Sequence, residues 1–189
     1  MITSLILNIL NFVLVAGCIV WGVKKADPWT RLFRYFTTLS NVLCAIASLV
    51  AVVFGLCGPL PLWALLLKYT GTAAVTVTML TVFLFLGPTS HDWKGLLTHA
   101  ELFLHLICPL LAIVSFLFFE KTAMPAWSIV IGALPVPVYG AWYLYKVVFA
   151  PEAQRWEDFY GFNRGGNWPR SAVAMVGGTA LVSLLLAAL

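Results

Sequence analysis

Six long apolar runs, over residues 4–23, 32–56, 63–86, 97–119, 127–148 and 171–189, are separated by short polar breaks. Each is close to the roughly 20 residues that a helix needs to cross a hydrocarbon core. Barrel strands alternate apolar and polar positions, whereas Leu181-Val182-Ser183-Leu184-Leu185-Leu186 is almost continuously apolar, so the pattern predicts helices. In lipid every backbone polar group has to be satisfied within its own segment, which makes an all-α bundle of six transmembrane helices the predicted fold. The breaks carry local stop signals: Asp27-Pro28 is suited to open the second helix, Gly58-Pro59 and Gly87-Pro88 to close the second and third. Gly165, Gly166 and Pro169 mark the last long loop. Residues 1–189 are read as a single six-helix transmembrane domain, whose chemistry has to come from helix faces and loop edges.

Composition agrees with the pattern. Hydrophobic residues make up 62% and charged residues 10%, with a mean hydropathy of +0.98. A soluble domain has about 45 to 50% apolar and about 25% charged residues. The net charge of +4 is chiefly a signal of orientation. Lys24, Lys25, Arg31, Arg34, Lys94, Lys146, Arg155, Arg164 and Arg170 lie in or beside the first, third and fifth loops, and only Lys68 and Lys121 on the other side. By the positive-inside rule the odd loops are cytoplasmic and both termini outside. Trp21, Trp29, Trp63, Trp93, Trp127, Trp156 and Trp168 fall near span ends or in loops, as an interfacial belt requires. No basic stripe with interleaved aromatics appears, so no nucleic-acid partner is expected.

Leu14-Val15-Ala16-Gly17-Cys18 resembles a lipoprotein cleavage box, but no basic residue precedes the apolar stretch and a retained first span is expected. Cys18, Cys44, Cys57 and Cys108 show no metal or redox spacing and read as packing residues.

Polar groups within the spans carry the candidate chemistry. Thr37, Ser40 and Asn41 share one helical stripe, and Thr38 points elsewhere. Such residues commonly knit membrane helices together, and a threonine hydroxyl is also a nucleophile once a base stands beside it. Glu101 and His105, four residues apart, share a face, where the carboxylate can orient the imidazole or favour its protonated form. The pair reads equally as a general base with its partner or as a helix-helix contact. His91, Asp92, His99, Glu101 and His105 form no HExxH-type arrangement, so no metal site is expected. Counted from the span ends, Thr37 and His105 both lie about 9 to 12 Å inside the same face, a depth at which they can meet.

Phe36-Thr37-Thr38-Leu39-Ser40-Asn41, His105-Leu106-Ile107-Cys108-Pro109 and Thr72-Ala73-Ala74-Val75-Thr76-Val77-Thr78 resemble motifs of the androgen-induced and androgen-dependent family of six-helix membrane proteins and their bacterial six-span relatives. The resemblance spans most of the chain. It implies an intramembrane threonine and a histidine on a later helix, here Thr37 as nucleophile and His105 as base. Hydrolysis of fatty acid esters of hydroxy fatty acids, the activity of the animal members, is implied with it. Ser40 or Asn41 would then donate to the oxyanion and Glu101 orient His105. The expected partner is a membrane lipid or lipid ester, no cofactor is needed, and the bacterial relatives imply a bacterial inner membrane. Where relatives carry an aromatic, proline-rich segment before the last helix, this chain has Trp156-Glu157-Asp158-Phe159-Tyr160-Gly161-Phe162-Asn163 without those prolines. So aromatic a loop is expected to fold against the cytoplasmic surface and cover the mouth of the site. A small transporter or channel using Asn41, Glu101 and His105, an acyltransferase, and a scaffold packing through Ala174 and Gly178 are the alternative readings.

Overall fold

In a computed structural model, which describes residues 2–189, the chain is a bundle of six long apolar helices with no strand among the described residues. We label them α1 (Ile2–Lys25), α2 (Phe36–Gly55), α3 (Leu62–Ser90), α4 (His99–Glu120), α5 (Ser128–Phe149) and α6 (Trp168–Ala188). All six are long and apolar enough to span a bilayer, and the chain is a multi-pass integral membrane protein.

The third helix is the centre of the bundle. In α3, 56% of the apolar window is buried, against 17% to 44% in the others, and α3 touches α2, α4, α5 and α6. Small residues allow this close approach. Gly71 lies so near α2 that an added Cβ would stand 2.9 Å from the Cα of Cys44. Leu65, Tyr69, Ala73, Phe116, Val182 and Leu186 tie α3 to α4 and α6, and Val15, Ala45 and Cys108 tie α1 to α2 and α4. The outward face of α1, with Ile6, Ile9 and Val13, stays exposed, as suits a lipid-facing surface.

Two boundaries differ from the expectation drawn from sequence, each for a local reason. Gly87-Pro88 does not close α3: the helix runs on to Ser90, because a π-turn over Val82–Leu86 widens it just where Pro88 can neither donate to nor accommodate a carbonyl four residues back. The second helix begins at Phe36 instead of Leu32. Trp29–Arg34 forms a separate 3-10 turn, and Tyr35 is extended at φ −91° and ψ 133°. Thr37 is therefore the second residue of α2, nearer the helix end than the count from the span end implied.

Candidate active site

The start of α2 is short of hydrogen-bond partners. The first backbone N–H groups of any helix have no carbonyl one turn back, and Tyr35 offers no side-chain cap. Leu39 N–H reaches the Tyr35 carbonyl at 3.3 Å, and Phe36 N–H is donated to the hydroxyl of Tyr160, from the α5–α6 loop, at 2.9 Å. The Thr38 N–H meets no acceptor among the described residues, and the Thr37 N–H turns toward the same Tyr160 oxygen. An unpartnered N–H at a helix N-terminus, with the dipole behind it, favours negative charge beside Thr37.

His105 lies in a π-turn of α4, Phe103–Ile107. Pro109, four residues on, cannot donate to the His105 carbonyl, and the wider turn relieves the crowding. The imidazole is buried, with Nδ1 2.8 Å from the Leu96 carbonyl and Nε2 3.3 Å from the Thr37 hydroxyl oxygen. Because a carbonyl only accepts, the network assigns the proton of the neutral ring to Nδ1. Nε2 then presents its lone pair to the Thr37 hydroxyl. Leu96 closes the short turn Trp93–Leu96, which is capped by the Asp92 carboxylate at 2.9 Å from Gly95 N and bracketed by His91 and His99, both left-handed at φ 56° and 52°. The α3–α4 connection thus aims the carbonyl that sets the tautomer.

Glu101 stands differently from its expected role. Its Oε2 is 3.4 Å from Nε2, the nitrogen that faces Thr37, and its side chain is 48% exposed. The orienting partner of the ring is the Leu96 carbonyl on the opposite nitrogen. A carboxylate beside a bare Nε2 gains little, but beside a protonated Nε2 it becomes a counter-ion.

Asn41 and Ser40 also direct their hydrogens to groups of the bundle itself. The Asn41 amide gives one hydrogen to the Thr37 carbonyl at 2.8 Å and the other to the Leu104 carbonyl at 3.0 Å, so α2 and α4 are joined one turn from the proposed chemistry. Ser40 donates to the same Thr37 carbonyl at 3.1 Å and meets the Thr78 hydroxyl of α3 at 2.8 Å. With both amide hydrogens engaged, Asn41 has none left for an oxyanion, and the one Ser40 proton is likewise occupied. Thr38 is buried at 2% exposure and belongs to neither the Thr37 nor the His105 contact.

Beside this turn an apolar cleft of about 450 Å³ opens between α2 and α5, lined by Phe36, Leu39, Ser40, Leu43, Pro135, Val138, Tyr139 and Trp142. Tyr139 and Tyr143 of α5 stack at 5.8 Å and carry the aromatic loop against it. Phe159 sits on Tyr35 at 4.6 Å, and Tyr160 on Tyr143 at 5.2 Å.

A second polar cluster, near the opposite end of the bundle, escaped the sequence reading. Lys68 is fully buried, with Nζ 2.5 Å from Asn8 Oδ1, 3.1 Å from Ser48 Oγ and 3.8 Å from Glu120 Oε2. Glu120 Oε1 accepts from Ser4 at 2.8 Å, from Ser115 at 2.5 Å and from Asn8. Lys68 is accordingly an interior charge and no water-facing marker of orientation. The traceable signal was the polar stripe of Ser4, Asn8 and Asn11 on α1, at spacings of four and three.

Comparison with protein-family models, with curated proteins and with solved structures finds no match for this chain.

Proposed function

We propose that the protein is an intramembrane lipid-ester hydrolase with Thr37 as nucleophile and His105 as general base. The observation that supports this best is the pairing of the two imidazole nitrogens: Nδ1 is held by Leu96, leaving Nε2 to accept the proton of Thr37 Oγ1 at 3.3 Å. Contacts of this kind tighten in the reacting complex.

In this mechanism a lipid ester lies with its chain in the α2–α5 cleft and its carbonyl at the start of α2. Thr37 Oγ1 bonds to the carbonyl carbon, its proton passes to His105 Nε2, and the carbonyl π pair moves to oxygen. When that oxyanion collapses, the bond to the leaving alkoxide breaks and His105 returns the proton to it. Water, deprotonated by the same nitrogen, then releases the acid from the acyl-threonine. The unpartnered Thr38 N–H and the positive end of α2 would stabilise the developing negative charge. Glu101 steadies the imidazolium between transfers. The lysine and arginine distribution supports an inner-membrane orientation with both termini outside the cytoplasm, which puts this site at the cytoplasmic side.

The test is labelling of the purified protein with a fluorophosphonate, located by peptide mass spectrometry, alongside hydrolysis of 4-nitrophenyl octanoate. Thr37→Ala and His105→Ala should each abolish both, their double variant should be little worse than either, and Thr38→Ala should keep most activity. Undiminished hydrolysis in both single variants would end the hydrolase reading.

A further inference from the structure

The loop between α5 and α6 brings a phenol to the start of α2. Tyr160 Oη accepts the Phe36 N–H at 2.9 Å and lies beside the Thr37 side chain, so it touches the turn that holds the nucleophile. Its position is fixed from several directions. Asp158 accepts the Tyr143 hydroxyl at 2.9 Å and the N–H groups of Phe162 and Asn163 at 2.8 Å each, closing the loop on itself. The Tyr143 oxygen in turn accepts the Tyr160 N–H at 3.1 Å. The ring is wedged by Tyr143 at 5.2 Å and Phe159 at 4.8 Å.

An ester hydrolase needs a donor where the carbonyl oxygen becomes negative, and Ser40 and Asn41 are both engaged with carbonyls. We propose that the Tyr160 hydroxyl supplies this donor, giving a hydrogen bond to the oxyanion formed when Thr37 attacks the ester. The proposal rests on the threonine and histidine reading and assigns a third residue to it. The phenol oxygen accepts the Phe36 N–H and lies within reach of the Thr37 N–H and of the Tyr139 hydroxyl, whose own proton goes to the Arg34 carbonyl at 2.7 Å; the N–H contacts polarise the Tyr160 O–H, which exchanges its contact with Tyr139 for the oxyanion. Burial pushes the phenol up to about 12, although the Phe36 N–H acts against this, so at neutral pH the proton is present. As the Thr37 Oγ1 to carbon bond forms, the carbonyl pair settles on oxygen, and Tyr160 O–H together with the Thr38 N–H stabilises it without transferring a proton. On collapse the pair returns to the carbonyl and the phenol is unchanged. A donor held rigid before substrate arrives needs no reorganisation at the moment of reaction.

The experiment follows the rate of fluorophosphonate labelling at Thr37 in the full-length protein in detergent micelles, since the phosphoryl oxygen occupies the oxyanion position. Tyr160→Phe removes only the hydroxyl, and 3-fluorotyrosine at position 160 makes the phenol a stronger donor and a weaker acceptor in the same packing. Labelling should fall roughly 100- to 1,000-fold in Tyr160→Phe with little change in thermal midpoint, while the fluorotyrosine protein labels at least as fast as the parent. A Tyr160→Phe rate within a few-fold of the parent, with Thr37→Ala unlabelled, overturns the role of Tyr160 and leaves the nucleophile standing. If Tyr160→Phe is unstable, the fluorotyrosine protein decides, and a rate below the parent's overturns donation in favour of capping alone. Parental labelling in Thr37→Ala instead defeats the underlying reading.

Discussion

Replacing Lys68 by methionine removes one charge from a site where both partners are out of water: the side chains of Lys68 and Glu120 are 0% and 3% exposed. At their 3.8 Å separation two unit charges attract by about 4 kcal/mol at an effective dielectric of about 20. The variant also orphans Asn8 Oδ1 and leaves Glu120 Oε2, which has no hydrogen-bond donor of its own, facing a thioether. Breaking a buried pair from one side costs about 3 to 5 kcal/mol in soluble proteins. A bilayer lowers this, because the unfolded helices also find polar partners there, and we expect Lys68→Met to cost about 3 kcal/mol. Glu120→Leu should lose a similar amount. In the double variant no charge remains, and Asn8 still donates to the Ser4 carbonyl at 2.9 Å and Ser115 at 3.1 Å. The remaining penalty is then about 1 to 2 kcal/mol, mostly the unpaired Asn8 oxygen. Reversible unfolding in mixed micelles by dodecyl sulfate, followed by circular dichroism, reads these values directly. A loss below about 0.5 kcal/mol in Lys68→Met, or a double variant as unstable as the sum of the singles, would refute the account of Lys68 and Glu120 as a coupled interior pair.

Three further outcomes are expected. Asn41→Leu, which removes the bonds to the Thr37 and Leu104 carbonyls, should lower 4-nitrophenyl octanoate turnover at least tenfold and destabilise by about 2 kcal/mol, measured by kinetics and micellar unfolding; unchanged turnover would detach Asn41 from the site. A cysteine at Asp92 should be shielded from an impermeant maleimide in intact cells and one at Ala123 should react, with the reverse pattern overturning the orientation. Because burial raises the Tyr160 phenol from about 10 to about 12, its contribution to stability is complete below pH about 10 and is lost as the pH rises through about 12. Thermal midpoints over that window should fall less steeply for Tyr160→Phe than for the parent.

The number and type of helices were legible because each span meets lipid individually and has to satisfy its own backbone, so twenty apolar residues suffice to announce it. The polar residues Thr37, His105, Asn41 and Glu101 stood out in the sequence for a related reason: polar groups are rare in apolar spans. Their bonds were not. Helical spacing put Glu101 on the His105 face but could not tell which imidazole nitrogen it meets, and the ring is oriented by Leu96, whose backbone carbonyl leaves no trace in side-chain chemistry. Asn41 was visible as a polar residue, whereas its two acceptors lie on different helices.

What sequence alone determined was thus local: helix length, lipid compatibility, the faces on which polar groups lie, and the charge asymmetry of the loops. Tertiary structure decided everything that depends on which helices are neighbours. It set α2 beside α4 so that Thr37 meets His105, sank Lys68 against Glu120, and carried Tyr160 across 124 positions of chain to the Phe36 N–H. Period and hydropathy describe a single helix in its solvent, and lipid treats all apolar faces nearly alike. Helix adjacency comes instead from small-residue contacts such as Gly71 on Cys44 and from polar pairs that can be satisfied only across helices.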